Sequence, residues 1–518
     1  MQEPQATPPR RDFLKKSALA AGGALAGNLL ATPAQAQEGP AMQGMNMQGS
    51  GSRHDMHGSG TKLPSPIGDE NAGVPSGVQD EYDGFRRFTP SRGNSPDSDY
   101  YLGKLVPGMR SASDGPAPFE TPDIPKLPFK MVDGVKEFHL VATPVEAEFL
   151  PGYKMNVYGY NGSMPGPTIE VTQGDRVRIV VTNELPENTY MHWHGFECRV
   201  QYDGAAELIQ GPIKPGKSFN YEFTFHEEGT FFYHSHVAMQ EAFGMVGWFI
   251  VHPKRVFDPP VDRDFGLLFQ NFAIEPSQTI ADSWSMDWNW HTINGRSGPF
   301  NSPLVCKHGE RVRIRILNFA PIQHHPIHLH GHTFWITGHE GARIPKSAWI
   351  PRNTELIGVA QATDFEFIAN NPGDWMMHCH MVHHMMNHMT RQVGPRVRPN
   401  QSVDAYLANL DRVPDVNLNN PDPGFHTPGY PQDMKGMNMA AMMDKRITGR
   451  RETLGMRQGW QMAIMGLMLA VRVLPEDLYH LVMETDEPIQ PGAVLAEIVR
   501  RFGDPSDYQA APMKHGMM

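Results

Sequence analysis

Cysteine and positive charge are both scarce in this sequence of 518 residues. Its 3 cysteines cannot form the dense disulfide framework of a small secreted scaffold. Its 45 lysines and arginines stand against 56 aspartates and glutamates, which gives a formal net charge of −11. Because nucleic acids and anionic membrane surfaces are bound by basic patches, we expect neither as a partner. What the sequence does contain is 25 histidines and 32 methionines, an imidazole and thioether supply suited to copper.

Long apolar runs are missing as well. A membrane-spanning helix needs about 20 consecutive apolar residues. Glycines interrupt the run over 18–31, and the apolar run within 457–473 reaches only about ten residues, half of that length. We therefore predict no membrane span, and we interpret 457–473 as a packing helix.

The first 36 residues have the three parts of an export signal. Arg10 and Arg11 precede a small, apolar stretch, and Ala34-Gln35-Ala36 provides a small-x-small cleavage site. This pattern predicts a twin-arginine signal peptide over 1–36 and a mature chain that begins at Gln37. The protein is therefore expected to be periplasmic or otherwise exported.

The rest of the sequence divides by texture into four segments. Residues 37–134 are rich in Gly, Ser, Pro, Met and Asp and predict an extended arm with little regular structure. Short alternating runs fill 135–256 and 257–398, which is typical of two β-sandwich domains in an all-β fold. Residues 399–518 indicate a turn-rich, partly helical C-terminal extension. The predicted strands cover 137–141, 168–171, 176–181, 219–225, 245–251, 266–272, 311–317, 333–338, 355–359 and 364–368.

Histidines gather in four clusters, each beside an alternating run. On a strand, residues i and i+2 face the same side, so a His-x-His pair presents two imidazoles about 6–7 Å apart. Such a pair can serve two neighbouring metal ions. The clusters are His192-Trp193-His194, His234-Ser235-His236, His325-Pro326-Ile327-His328-Leu329-His330, and His378-Cys379-His380 with His384 and Met389 downstream.

The fourth cluster places a cysteine between two histidines. Cys379 must point to the opposite side of the strand from both of its neighbours. A thiolate with two imidazoles and a weak axial thioether is the ligand set of a blue copper centre. Cys379, His384 and Met389, together with His325, provide that set. Electrons can then enter on one side of the strand and leave, through the backbone of Cys379, on the other.

These clusters resemble the four copper signatures of the multicopper oxidases, the family of laccases, ascorbate oxidase and bacterial cuprous oxidases, over residues 135–395. The resemblance implies cupredoxin-like Greek-key domains and four copper ions per chain, namely one type 1, one type 2 and two type 3. It implies that electrons from a reducing substrate enter at His384 and that O₂ is reduced to water. The implied ligands are His325, Cys379, His384 and Met389 for type 1, His192 and His328 for type 2, and His194, His234, His236, His330, His378 and His380 for type 3.

The spacing of the clusters selects a branch of that family. His236 and His325 are 89 residues apart, which leaves no room for the middle domain of three-domain laccases. The pattern is similar to two-domain laccases, whose trinuclear cluster forms between domain one of one subunit and domain two of the next, so a homotrimer is implied. Copper nitrite reductases would need a cysteine in the second cluster, and residues 233–237 contain none.

Three residues outside the ligand set have open interpretations. Asp203, in Tyr202-Asp203-Gly204, resembles the family's Asp-Gly segment near the type 2 copper, where the carboxylate helps to carry protons to oxygen. A plain turn carboxylate is the alternative. Cys198 and Cys306 could pair in an oxidising compartment or stay as free thiols.

Two kinds of electron donor fit this reading, Cu(I) and phenols or related organic donors. Export and methionines at both ends of the mature chain favour Cu(I), because thioethers select that ion. Methionine-rich sequence without a copper site is one alternative, and an exported, non-catalytic copper carrier or store is another. A carrier accounts for these tracts but not for a trinuclear ligand set. The tracts contain Met42, Met45, Met47, His54, Met56 and His57, and then Met434, Met437, Met439, Met442, Met443, Met513 and Met517.

Overall fold

The computed structural model describes residues 110–273, 290–385 and 443–502. These ranges contain 22 strands and four α-helices, so the predicted all-β class is confirmed. Every strand predicted from the sequence overlaps with a strand of the structure. The strands form four sheets, which pair into two sandwiches. Within the three ranges, no helix is long and apolar enough to cross a membrane.

Buried and exposed residues alternate along strands of the first sandwich, as the sequence predicts. In β6 (Arg176–Asn183), Val177, Ile179 and Val181 are buried while the residues between them are more exposed. Both sheets contribute to one core. One sheet has the order β2 (Phe129–Val132), β3 (Val135–Leu150), β6 and β8 (Ser218–Thr224), with β4 (Tyr153–Tyr160) on β3, and the other has the order β5 (Gly166–Thr172), β10 (Val246–His252), β9 (Gly229–Ser235) and β7 (Met191–His194).

The second sandwich is larger and surrounds its own apolar core. Its first sheet has the order β1 (Phe119–Glu120), β11 (Arg263–Phe272), β14 (Arg311–Asn318), β20 (Gln361–Ile368), β16 (Phe334–His339) and β17 (Ala342–Arg343), with β12 (Trp290–Ile293) on β11 and β18 (Ile350–Arg352) on β16. Its second sheet has the order β13 (Leu304–Lys307), β22 (Met468–Leu474), β21 (Gly373–Cys379), β15 (His325–Leu329) and β19 (Thr354–Ile357).

The described part of the C-terminal region belongs to the second sandwich. The helix predicted over 457–473 is wrong where the structure has β22, and this strand of the predicted C-terminal extension, 399–518, is part of a sheet of the second sandwich. All seven residues of β22 are buried between β13 and β21, and a strand covered on both faces has a continuous apolar run rather than an alternating one. Helices do follow it, at α3 (Glu476–Glu484) and α4 (Ala493–Phe502), which pack on its end.

The end of the predicted arm is also structured, contrary to expectation. β1 pairs in parallel with β11 of the second sandwich, and β2 pairs with β3 of the first. Short elements of this kind have too few residues to show a period in the sequence. Two short helices lie in loops, α1 (Ala238–Ala242) after β9 and α2 (Lys445–Thr448) before β22. Residues 37–109 lie outside the described ranges.

An apolar contact joins the two sandwiches. Phe232 and Trp248, on β9 and β10, turn away from the first core and pack with Leu317 and Ala362, on β14 and β20. The Phe232 and Phe319 rings meet edge to face, with centroids 5.8 Å apart. Apolar residues on both faces of β9 and β10 explain why the burial of these strands is continuous.

Buried charges lie beside this contact. The Asp264 carboxylate accepts hydrogen bonds from Arg313 and from Arg315, and Arg315 also donates to Thr230 Oγ1 of β9 at 2.7 Å. Glu366 is fully buried between Arg311 and Arg343. Burial alone would raise the pKa of Glu366, but the two guanidinium groups outweigh it and hold the pKa at about 2. The carboxylate therefore stays charged in the folded protein.

Replacing Glu366→Gln leaves two buried guanidinium groups without their counter-charge. The free energy of unfolding at neutral pH should fall by about 3–5 kcal/mol. Above a pH near 4.5, the pKa of this carboxyl group in the unfolded chain, the charged carboxylate contributes its full stabilisation to the folded wild type. Protonation removes that stabilisation as the pH falls towards about 2. The difference in unfolding free energy between wild type and variant should therefore narrow over that window. Denaturant titrations at several pH values measure both effects.

The matched control is Glu497→Gln, which removes an exposed carboxylate that also faces two arginines, Arg500 and Arg501. Its free energy of unfolding should stay close to that of the wild type, because solvent screens this ion pair. Equal small losses in both variants would contradict a structural role for the buried network.

Candidate metal centres

One candidate centre lies at the edge of the second core, where β15 and β21 run side by side. His325 begins β15, Cys379 ends β21, and His384 closes a short 3-10 helix five residues later. The antiparallel register pairs Ile327 with Cys379, which brings the two strand ends together. The side chains of His325, Cys379 and His384 are all fully buried. Three residues that are far apart in the sequence therefore share one pocket.

The donor atoms of these residues converge on one point. His325 Nδ1 and His384 Nδ1 lie 3.1 Å apart, and Cys379 Sγ lies 3.6 Å from the first and 3.4 Å from the second. A point equidistant from the three atoms is about 2 Å from each, the usual length of a bond from a metal ion to nitrogen or sulfur. Two imidazoles and a thiolate in a trigonal arrangement fit copper.

Burial prepares these groups for a metal. It lowers the pKa of His384 to about 3 and that of His325 far below its usual range, so both imidazoles are neutral. It also raises the pKa of the Cys379 thiol to about 12, so the thiol keeps its proton until a metal ion displaces it. Met389, the fourth predicted ligand, lies outside the described residues, and its role stays a prediction.

The C-terminal segment fixes this centre in a way that the sequence did not indicate. Leu467 N donates to the carbonyl oxygen of His384, and Cys379 N donates to the carbonyl oxygen of Leu467, both at 3.0 Å. Leu467 is fully buried in the same core as Cys379. A residue more than eighty positions downstream therefore holds the backbone of two candidate ligands.

A second group of imidazoles lies on the first sandwich, on the paired strands β7 and β9. Because His192 pairs directly with His234, the two His-x-His motifs face the same side. One nitrogen each of His192, His194 and His234 lies within 4.8 Å of the others. The exposed His236 is nearby, with its ring centroid 5.6 Å from that of His192. We call these four residues half-site 1.

A third group lies on the second sandwich and has the same construction. His328 on β15 pairs directly with His378 on β21. His330 Nε2 and His378 Nε2 lie 3.0 Å apart, and the ring of the exposed His380 is 5.8 Å from that of His328. We call His328, His330, His378 and His380 half-site 2. Burial lowers the pKa of His330 and of His378, which favours neutral, ligating imidazoles.

Backbone carbonyls orient several of these rings. His192 Nδ1 donates to the Asp203 carbonyl oxygen at 2.8 Å, and His328 Nδ1 donates to the Asn353 carbonyl oxygen at 2.6 Å. Each bond uses Nδ1 and leaves Nε2 as the free ligand nitrogen. The first bond requires Gly204, because a Cβ at this position would lie 1.7 Å from the Met191 carbonyl oxygen.

Half-site 1 and half-site 2 do not touch each other within the described part of the chain. Ring contacts link the four imidazoles of each group among themselves, and none crosses between the groups. Half-site 2 is instead connected to the pocket of Cys379, because His378 and His380 flank that residue on the opposite face of β21. Each half-site by itself has four imidazoles and remains partly open to solvent.

The remaining candidates lie apart from these pockets or beside them. The Asp203 carboxylate is 3.7 Å from His192 Nδ1, so it borders half-site 1. Glu241, on α1, is a second carboxylate there that the sequence analysis missed, with Oε1 3.5 Å from His234 Nδ1. Its position five residues after His236 was the feature of the sequence that could have predicted a carboxylate near this half-site. Cys198 and Cys306 are free thiols.

The sequence analysis also missed His291. This residue lies on β12, with its ring centroid 4.5 Å from that of His384. The sequence contains no motif that would predict its role, because a single histidine on a short strand has no other histidine at a recognisable spacing. His384 itself is buried, so the residue at which the resemblance places electron uptake has no exposed surface.

Comparisons with known proteins agree with this arrangement. Two family profiles, each described as multicopper oxidase, match residues 142–256 and 273–400. Laccase-19 of Oryza sativa subsp. japonica is 32% identical over 249 residues, which cover 44% of this chain and 40% of that protein. The L-ascorbate oxidase of Cucumis sativus is 34% identical over 169 residues, which cover 30% of this chain and 29% of that protein.

A solved structure of similar sequence is the blue copper oxidase of Nitrosomonas europaea, which is 31% identical and superposes with a TM-score of 0.46 over 49% of this chain and 81% of that one. This chain spans about two-fifths of the length of the rice laccases it matches. The two matched regions contain both half-sites and the pocket of Cys379. The chain belongs to the multicopper oxidase family.

Proposed function

We propose that this protein couples the one-electron oxidation of a reducing substrate to the four-electron reduction of O₂ to water. The observation that carries the proposal is strand β21, which has Cys379 in one pocket and its two neighbouring histidines in half-site 2. Bound copper would supply the one-electron redox chemistry at the first pocket and the reduction of oxygen at the second. Four electrons and four protons are consumed for each O₂ that becomes two water molecules.

The proposed ligand set follows the two faces of the strands. His325, Cys379, His384 and Met389 would hold the type 1 copper. His192 and His328 would hold the type 2 copper, and the other six histidines of the half-sites would hold the type 3 pair. This gives four copper ions per chain. The peptide bonds on either side of Cys379 make the shortest covalent path between the two kinds of centre.

Protons would reach the oxygen site through carboxylates at half-site 1. Asp203 borders His192, and Glu241 borders His234 on the other side of the cluster. Carboxylates at this distance can pass protons through a single water. Asp203 is the residue that the family resemblance suggests, and Glu241 is added by the geometry.

Changing Cys379→Ser tests the type 1 assignment. Serine keeps the size of the side chain but removes the thiolate, so the copper-loaded variant should lose the intense blue absorption and nearly all oxidase activity. Its type 2 and type 3 copper should be largely retained. Absorption and electron paramagnetic resonance spectra measure both. Cys306→Ser is the matched control, a buried thiol of the same core that should stay blue, and a blue Cys379→Ser protein would contradict the assignment.

We further propose that the active species is a homotrimer in which half-site 1 of one subunit faces half-site 2 of the next. Two open half-sites that do not meet within one chain are completed by closed rotational symmetry. Exposed apolar side chains occur close in the chain or in strand register to residues of both half-sites. Val200 and Met239 lie three residues from Asp203 and from His236, Leu356 pairs with Pro326, and Val382 follows His380 by two residues. Exposed apolar side chains of this kind are typical of surfaces that another subunit covers.

Mixing two inactive variants tests the shared site. His234→Ala damages half-site 1 and His330→Ala damages half-site 2, so each pure trimer should be inactive. When equal amounts of the two variants assemble at random, about one interface in four pairs an intact half-site 1 with an intact half-site 2. The mixed trimers should therefore recover about a quarter of the wild-type activity. Sedimentation gives the size. A fully active monomer, or no recovery in verified mixed trimers, would contradict the proposal.

We propose Cu(I) as the electron donor, with phenols as the second candidate. Beside the methionine tracts of the sequence, a cluster rich in methionine lies next to His384 in the structure. It contains Met376, Met385, Met462, Met465 and Met468, with Ile464 and Trp460. Soft thioethers favour Cu(I) over harder ions. Together with the predicted twin-arginine export to the periplasm, this supports a role in copper tolerance.

The double variant Met385→Leu/Met462→Leu should weaken Cu(I) oxidation at low copper while leaving phenol turnover nearly unchanged. Leucine keeps the apolar volume and removes the sulfur, so a selective rise in the apparent KM for Cu(I) reports on coordination. Oxygen uptake with each donor measures the effect. Met131→Leu, an exposed methionine of the first sandwich, is the control. An equal loss with both donors would point to packing, and no loss would favour organic donors.

The alternative function is a non-catalytic, exported copper-binding protein. It would bind copper without consuming oxygen. The two half-sites argue against it, because a store needs no pair of four-imidazole surfaces beside a buried thiolate. Oxygen uptake by the copper-loaded trimer separates the two functions.

A further inference from the structure

His291 is a buried histidine outside every proposed ligand set. Its strand, β12, pairs with β11, and the carbonyl oxygen of His291 accepts a hydrogen bond from Ser297 Oγ at 2.6 Å. The side chain is fully buried. Its ring packs against that of His384, with centroids 4.5 Å apart and ring planes tilted by 36°.

Among the residues that the structure describes, no group forms a hydrogen bond with either ring nitrogen of His291. Buried polar groups nearly always have a hydrogen-bond partner, because a polar group that loses its hydrogen bonds to water and gains no new ones destabilises the folded state. Other buried histidines of the chain follow this rule with at least one nitrogen. His252 Nε2 bonds to Glu170, and His332 Nδ1 donates to the carbonyl oxygen of His330. The unpaired nitrogens of His291 therefore indicate a partner that joins when the centre is loaded.

His384 has the complementary requirement. Its Nδ1 faces Cys379 Sγ and would bind the copper, which leaves Nε2 as the second nitrogen. This Nε2 is also buried, and it has no hydrogen-bond partner within the described ranges. A histidine that binds a metal through one nitrogen donates the hydrogen on the other to an acceptor, which fixes the plane of the ring. A neutral imidazole has one ring nitrogen with a free lone pair, which makes His291 a suitable acceptor.

We propose that His291 is a positioning residue of the type 1 centre, whose free ring nitrogen accepts the Nε2 hydrogen of copper-bound His384 through a small ring rotation or one buried water. The inference rests on the proposed function, because it requires copper at Cys379. A hydrogen bond to this acceptor increases the electron density on the His384 imidazole, which stabilises Cu(II) more than Cu(I). It therefore lowers the reduction potential of the centre.

The test compares His291→Phe with His291→Gln in the copper-loaded protein. Phenylalanine keeps a planar ring against His384 but offers no acceptor, whereas glutamine restores one. The redox buffer is chosen so that half of the type 1 copper is reduced in the wild type, which halves the blue absorption. In the same buffer, the ratio of reduced to oxidised type 1 copper in His291→Phe should be about tenfold higher than in the wild type. The ratio for His291→Gln should stay within about threefold of wild type. The electron paramagnetic resonance spectrum of the type 1 copper should change in the first variant only.

His252→Phe is the matched control, a buried histidine of the first sandwich whose loss should leave the ratio unchanged. If His291→Phe does not fold, His291→Leu against His291→Gln makes the same comparison. Wild-type ratios and spectra in every folded variant would overturn the role of His291 while leaving the proposed function intact. A shift of equal size in the Phe and Gln variants would also overturn it, because the acceptor would then be irrelevant. A wild-type protein that binds copper without turning blue would instead overturn the proposed function.

Discussion

Successive side chains of a β-strand point to opposite faces, and the arrangement of this protein depends on that property at Cys379. The thiol lies in the core of the second sandwich, while the histidines on either side of it face outwards. One strand is thereby part of a dry pocket with three donors and of an open surface with four imidazoles. An inserted or deleted residue here would reverse the faces and separate the two functions of the strand.

The pocket of Cys379 is held from several directions. The strands β15 and β21 set the spacing of His325 and Cys379. Leu467, directly before β22, adds the hydrogen bonds that fix the backbone at Cys379 and His384. Such support suits the proposed one-electron centre, because its ligands would have to stay in place in both oxidation states. The position of β22 shows that residues far downstream in the chain belong to the centre.

The half-sites contrast with this pocket. Six of their eight histidines are exposed or half-buried, and only His234 and His378 are buried. Their rings are oriented mainly by backbone carbonyls. The apolar contact between the sandwiches and the buried charges around Asp264 and Glu366 fix one sandwich on the other. Within the described part of the chain the half-sites do not meet, and the proposed homotrimer would complete them.

Local sequence contains much of this description, since strand periodicity and His-x-His spacing depend on neighbours in the chain. The two sandwiches, the four histidine clusters and the inward direction of Cys379 all followed from it. The sequence failed where contacts are long-range. The run over 468–474 has the texture of a helix and is a strand, because burial on both faces removes the alternation by which strands are recognised. His291 and Glu241 have no motif, and only the folding of β12 and α1 against the proposed copper ligands brings them into place. Whether a buried imidazole has a hydrogen-bond partner is likewise decided by packing between distant segments, which no local pattern records.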